Sequence, residues 1–119
     1  MTRLLIAAGL AAVFSSAAAA QAVPVTLTEW KIAVAADTLH AGSVTFRVKN
    51  DGTIPHGFHV EGPGVDKETK QINARESASL TVTLKPGTYE IYCPLSELSH
   101  KKAGMVKTIT VVAAAPKKP

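Results

Sequence analysis

Cysteine is almost absent from this sequence, since Cys93 is the only one among 119 residues. A single cysteine cannot form an internal disulfide, which excludes the disulfide frameworks that stabilise many small secreted domains. The thiol is therefore either buried and inert or held by a metal ion as a thiolate. Metal binding would also supply stability that a disulfide otherwise provides.

Concentrated positive charge is missing too, although the formal net charge is +4. Lys101 and Lys102 form a pair, as do Lys117 and Lys118, and neither pair extends into a run. Nucleic-acid binding needs a concentrated basic surface, so the sequence argues against it. Positive charge near residues 101–107 is better suited to steering an acidic protein partner.

Long apolar runs are confined to the first 22 residues. Arg3, the apolar run from Leu4 to Phe14 and the small residues up to Ala22 are arranged as in a secretory signal peptide, with cleavage expected after Ala22. A retained membrane anchor over residues 4–20 is the alternative, but this stretch is short and alanine-rich. We expect a periplasmic or otherwise exported protein without a membrane span in its mature form. Its single domain would cover residues 23–113, followed by a flexible tail at residues 114–119.

Helical periodicity is lacking in the remaining chain, and short β-rich runs take its place. The run at residues 43–49 alternates, with Val44, Phe46 and Val48 on one face. Residues 62–77 are polar and predict a loop or one short helical turn. Strands are predicted at residues 23–30, 31–35, 43–49, 57–61, 78–84, 88–93 and 105–112. Separated by Gly, Pro and Asn turns, these runs predict an all-β sandwich or barrel.

Soft metal ligands gather in the stretch YCPLSELSHKKAGM, residues 92–105. Cys93 shares the core face of its strand with Ile91, because alternate residues of a strand point to the same side. His100 and Met105 follow on the connecting loop. Thiolate, thioether and imidazole suit copper better than calcium, magnesium or manganese, which prefer oxygen. Two histidines, one cysteine and a weak axial methionine make a blue-copper electron-transfer site.

Such a site needs a second histidine from outside this stretch, and the candidates are His40, His56 and His59. Pro55 fixes the backbone just before His56, which lies on the core side if Phe58 and Val60 face the core. His59 would then point outward, and His40 reads as a turn residue before a strand. His56 is therefore favoured over His59, and both over His40.

These residues resemble the cupredoxins of the plastocyanin, azurin and pseudoazurin type. The resemblance runs from LHAGSVTFRVKNDGTIPHGFHVEG through LKPGTYEIYCPLSELSHKKAGMVKTITV, which is most of the mature chain. It implies a Greek-key β-sandwich of about seven to eight strands that binds one type 1 copper ion. The implied copper ligands are His56, Cys93, His100 and Met105. Tyr89 looks like the tyrosine corner that such sandwiches often carry.

Two features depart from the family's usual pattern. Six residues separate Cys93 from His100, more than is usual, and they bring Glu97 near the metal as a candidate oxygen ligand or nearby charge. Gly57 stands where an asparagine often follows the first histidine. Its backbone N–H can still bond the thiolate, although a side-chain tie to the neighbouring loop is missing. The longer loop can still close on copper but is expected to loosen the site or shift its potential, whereas the missing tie at Gly57 bears on the potential more than on copper binding.

The resemblance implies a soluble, monomeric one-electron carrier that is not an enzyme. The expected partners are c-type cytochromes or copper oxidoreductases, met in small, transient encounters. One edge of His100 is expected to reach the surface through an apolar rim that includes Pro94, Leu95 and Ala103. Trp30 is expected to pack at a strand end without a part in the chemistry.

Other classes of function stay open at this point. A copper module for storage, delivery or sensing is the alternative that the long Cys93–His100 loop and Glu97 favour. A copper reductase or oxidase is disfavoured, because the chain has one cysteine and no second metal cluster is evident in the sequence. A metal-free partner domain would not need all four ligands.

Overall fold

The computed structural model describes residues 21–114. In this part of the chain there are nine β-strands and one helical turn. In chain order they are β1 (Gln21–Thr28), β2 (Lys31–Val34), β3 (Thr38–His40), β4 (Gly42–Asn50), β5 (His59–Gly62), β6 (Val65–Glu68), β7 (Ser77–Leu84), β8 (Gly87–Tyr92), α1 (Ser99–Lys102) and β9 (Val106–Val112).

The strands form two sheets that face each other. The first sheet has the order β2-β1-β4-β7, and the second has the order β3-β9-β8-β5-β6. The chain crosses between the sheets after β2, β3, β4, β6 and β7, as expected of a Greek-key sandwich. The β1–β4 and β3–β9 pairs are parallel, and the other strand pairs are antiparallel. The predicted all-β sandwich is confirmed.

Alternate residues of the strands build the core between the sheets. In β4 the buried side chains are Val44, Phe46 and Val48, as the alternating sequence predicts. Tyr89 lies in the same core, and its hydroxyl donates to the carbonyl of Lys85 at 2.7 Å and accepts from the Lys85 N–H at 2.9 Å. This is the tyrosine corner predicted from the sequence, and it fixes the turn that enters β8.

The structure adds three short elements that the sequence pattern did not predict. His40 ends a strand, β3, rather than lying in a turn, and β3 has only one buried residue to reveal it. β6 lies within residues 62–77, which were expected to form a loop or a helical turn. Its polar residues occupy a sheet edge, where charged side chains discourage pairing with other chains. The third element is α1, within the loop that follows Cys93.

Three connections meet at one end of the sandwich: the β1–β2 turn, the β4–β5 loop and the β8–β9 loop. Contacts between their side chains, described below, make this end the candidate site. Within residues 21–114, no helix is long and apolar enough to cross a membrane.

The predicted leader and the predicted tail lie almost wholly outside the described residues. Gln21 and Ala22, which precede the predicted cleavage point, belong to β1 and pair with Val44 and Thr45. Cleavage after Ala22 stays a prediction.

Candidate metal centre

Three side chains converge where the loops meet. One potential ligand atom from each of His56, Cys93 and His100 lies within 4.8 Å of the other two. The two Nδ1 atoms of the histidines are 3.3 Å apart, and the Cys93 Sγ is 3.6 Å from Nδ1 of His100. All three residues are buried, with His100 8% exposed. Cys93, which was selected from strand alternation, and His56, which was selected from the Pro-His motif, are thus neighbours in space.

Cys93 comes directly after β8, and its backbone continues the pairing of β8 with β9. Its N–H donates to the Met105 carbonyl at 3.0 Å. The Gly57 N–H donates to the Cys93 Sγ at 3.3 Å, so this backbone bond to sulfur is present as expected. Burial raises the pKa of the Cys93 thiol, whereas the N–H groups of Gly57 and Leu95 oppose the shift by favouring the thiolate. The Cys93 sulfur therefore lies in a buried site with backbone N–H donors directed at it.

His56 is held by a pair of backbone hydrogen bonds to Ile72. Its N–H and carbonyl exchange hydrogen bonds with Ile72, at 3.0 and 2.8 Å. The fully buried Asn50 donates to the carbonyls of Ile54 and Ile72 at 2.9 Å each, and it accepts from the Gly52 N–H at 2.8 Å. One amide side chain thus links the β4–β5 loop to the Ile72 segment, which fixes the position of His56.

His100 lies in α1, after a left-handed turn of the chain. Ser96, Glu97 and Leu98 have positive φ values of 56°, 52° and 67°, a conformation that costs L-residues roughly 1–2 kcal/mol each. This turn lets the six-residue segment fold back so that His100 faces Cys93. Burial lowers the pKa of His100, and a charge on His56 lowers it further. Both effects favour the neutral imidazole, which is the form that binds metals.

Met105 ends the same loop, directly before β9. It is fully buried, and its N–H donates to the His100 carbonyl at 3.1 Å. The backbone bonds of Met105 therefore tie together the two segments that carry Cys93 and His100. Its thioether as the axial ligand stays a prediction.

The β1–β2 turn supplies two residues at the site that the sequence did not indicate. Glu29 Oε1 lies 3.2 Å from the Nε2 of His56, and its pKa is lowered chiefly by the hydrogen bond from the Thr53 N–H. The Trp30 ring meets the His100 ring edge-on, with 5.1 Å between centroids, while 48% of the residue remains exposed. Trp30 therefore covers part of His100, which keeps 8% of its surface exposed and lines a surface pocket together with Leu95. No local sequence signal marks either residue, because the turn is remote in sequence from both histidines.

The remaining candidates lie away from the converging ligand atoms. Glu97 is exposed and does not belong to the group of ligand atoms. His59 points outward as predicted and stacks on Tyr92 at 4.6 Å between centroids. Tyr92 donates to Glu61 at 3.0 Å, and burial raises its pKa to about 12. His40 is exposed, with its ring near the Ala113 carbonyl.

The donor set fits copper. A thiolate and two imidazole nitrogens can bind a soft or borderline metal ion, and a thioether added to this donor set would favour copper over oxygen-preferring ions. The two Nδ1 atoms and the sulfur already lie close enough together to bind one ion.

Comparison with known proteins identifies the family. A family model described as a cupredoxin-like domain matches residues 2–111. The chain belongs to the cupredoxin-like domain family. The resemblance inferred from the sequence is thereby confirmed, and the site of this cupredoxin is of the His, Cys, His and Met type that resembles type 1 copper.

Solved structures share the cupredoxin fold at low sequence identity. Dithionite-reduced auracyanin from the photosynthetic bacterium Roseiflexus castenholzii matches with a TM-score of 0.63 and 18% identity, over 78% of this chain and 98% of auracyanin. A multicopper oxidase matches with a TM-score of 0.59 and 16% identity, over 82% of this chain. The multicopper oxidase mgLAC matches at 0.56 and 18%, over 80% of this chain. The cupredoxin spans 43% and 39% of these oxidases. No curated protein matches the sequence significantly.

Proposed function

We propose that this cupredoxin is an exported one-electron carrier that holds one type 1 copper ion through His56, Cys93, His100 and Met105. The observation that carries the proposal is the buried convergence of the cysteine sulfur and two Nδ1 atoms within 4.8 Å.

The chain's part in the chemistry is to keep the ligands in place. When bound, copper supplies a one-electron couple between Cu(II) and Cu(I). The Gly57 N–H stabilises negative charge on the Cys93 sulfur. The backbone bonds of His56 to Ile72 and of Met105 to Cys93 and His100 restrict ligand movement. A ligand set that rearranges little lowers the cost of exchanging an electron, which favours a carrier.

The end of the sandwich that carries Trp30 is the proposed docking surface. Trp30 and Leu98 are exposed apolar side chains, 48% and 40% exposed, and Ala103 is exposed close by in the same loop system. An apolar surface of a few residues suits the small, transient contacts of electron-transfer partners. We propose c-type cytochromes or copper oxidoreductases as the partners, on the strength of the family resemblance.

The decisive experiment is addition of Cu(II) to the mature protein, followed by visible absorption and electron paramagnetic resonance spectra. We expect an intense thiolate-to-copper charge-transfer band that disappears on reduction and returns on oxidation. Cys93→Ser should abolish the band. The proposal fails if no such band forms in the unmodified protein, or if the Cys93→Ser protein gives the same spectrum.

Copper storage or delivery is the second candidate function, and the left-handed turn at Ser96, Glu97 and Leu98 favours it. Three L-residues in this conformation store backbone strain in the segment that carries His100, as segments that switch between conformations often do. Competition with a Cu(I) chelator separates the two functions. Rapid loss of copper together with irreversible voltammetry would favour delivery, whereas slow loss with reversible voltammetry would favour the carrier.

A further inference from the structure

Glu29 places a carboxylate on the far side of the His56 ring. Its Oε1 lies 3.2 Å from Nε2 of His56, whereas Nδ1 of the same ring faces Nδ1 of His100 at 3.3 Å. The two nitrogens of His56 therefore face different groups: one faces the convergence of ligand atoms, and the other faces a carboxylate.

The carboxylate is held in place by the loop that carries His56. The Thr53 N–H donates to Glu29 Oε1 at 2.8 Å, and the Ile54 N–H donates to the same atom at 3.4 Å. Gly52 leaves the space that the carboxylate fills, because a Cβ at this position would lie 2.2 Å from Oε1 and 3.0 Å from Nε2 of His56. Any side chain at residue 52 would displace the carboxylate or the ring.

We propose that Glu29 is a positioning residue for the copper ligand His56. Its carboxylate accepts a hydrogen bond from the Nε2–H of His56, which keeps the proton on Nε2 and leaves the lone pair of Nδ1 free to face Cys93 and His100. Its negative charge also favours the more highly charged oxidation state of bound copper and so lowers the redox potential. The inference rests on copper binding, the first part of the proposed function.

General metal-site chemistry supports this role. Histidines that bind metals usually donate their other ring N–H to a carboxylate, carbonyl or water, and this partner fixes the tautomer and the ring orientation. Here the partner is an ionisable side chain that comes from a different loop. The alternative is that Glu29 only caps the N–H groups of Thr53 and Ile54, with no effect on the metal.

Two substitutions of Glu29 separate these roles. Glu29→Gln keeps an oxygen acceptor for all three N–H donors but removes the charge. Glu29→Ala removes both the acceptor and the charge. A capping role predicts effects on stability alone, whereas a positioning role predicts effects on the copper centre as well.

We expect Glu29→Ala to lower Cu(II) affinity about 10–100-fold, the usual effect of removing the partner of a metal-binding histidine. We expect Glu29→Gln to keep affinity near that of the unmodified protein while its redox potential rises. Affinity is measured by chelator competition and potential by voltammetry. Glu97→Gln is the control, because it removes an exposed carboxylate of the Cys93–His100 loop that does not face a ligand nitrogen. The inference is overturned if the potential of Glu29→Gln changes no more than that of Glu97→Gln.

A measurement on the metal-free protein tests the hydrogen bond without copper. Nitrogen-15 NMR of the histidine rings should show His56 in the Nε2–H tautomer, and this preference should weaken in Glu29→Ala. An Nδ1–H tautomer in the unmodified protein would overturn the inference. If the unmodified protein binds no copper, the proposed function fails, whereas the NMR result still decides whether Glu29 sets the tautomer. Should Glu29→Ala not fold, Glu29→Gln decides through its potential.

Discussion

Met105 is a residue at which core packing and the proposed copper binding coincide. It is fully buried directly before β9, so its side chain contributes to the core whether or not its sulfur binds a metal. Leucine has a similar volume but lacks the thioether. We predict that Met105→Leu lowers the free energy of unfolding of the metal-free protein by less than about 1.5 kcal/mol. We also predict a higher redox potential, because a donor that stabilises Cu(II) is lost.

Urea unfolding and voltammetry measure the two effects separately. Ile109→Leu serves as the control, because Ile109 is also fully buried and lies in β9. This substitution conserves side-chain volume and removes no ligand atom. Equal potentials for Met105→Leu and the unmodified protein would exclude Met105 as an axial ligand.

At the scale of single elements, the β4–β5 loop depends on one buried amide. Asn50 donates to two carbonyls and accepts from the Gly52 N–H, and Ile72, which bears one of those carbonyls, pairs with His56. We predict that Asn50→Ala destabilises the protein by about 1–3 kcal/mol or more, since buried polar groups lose their partners. Copper affinity should fall with it, because the His56 backbone loses its support.

Thermal unfolding and chelator competition test this prediction. Asn73→Ala is the matched control, because Asn73 is exposed and its change is expected to stay within about 0.5 kcal/mol. Asn50→Ala with the stability and copper affinity of the control would show that the loop is positioned by other contacts.

The elements also show how far sequence reasoning could reach. Strand alternation places Cys93 and His56 on the core side, because that argument needs only the neighbouring residues and a period of two. The same argument could not place Glu29 and Trp30 at the site, because the sequence of a two-residue turn does not indicate which distant loop the turn will contact. The short strands β3 and β6 were not predicted for another reason. Each depends on an adjacent strand for its hydrogen bonds, and neither is long enough to show a clear alternation of apolar and polar residues.

At the scale of the whole molecule, a sandwich without a disulfide should gain stability from its metal. A ligand present at 100 times its dissociation constant adds about 2.7 kcal/mol to the free energy of unfolding. For a domain of this size, each kcal/mol raises the melting temperature by about 4–8 °C, so copper should raise it by roughly 10–20 °C. Calorimetry with and without Cu(II) measures this shift. Cys93→Ser should show little of it, and an equal shift in that variant would place copper elsewhere.

Exposed apolar residues lie at both ends of the molecule, and only one end carries the proposed ligands. The exposed apolar residues Trp30 and Leu98 lie at the end that carries the ligands, whereas Val112, 39% exposed, ends β9 far along the strand from Met105. If electrons pass between copies through the ligand-bearing end, a lysine there brings two like charges together in the encounter. We predict that Leu98→Lys slows electron self-exchange about tenfold or more, since about 1.4 kcal/mol of repulsion corresponds to a factor of ten.

Val112→Lys adds the same charge to an equally exposed residue and should leave the rate nearly unchanged. NMR line broadening in mixtures of oxidised and reduced protein gives both rates. Equal rates for the two variants would move the electron-transfer surface away from Trp30 and Leu98.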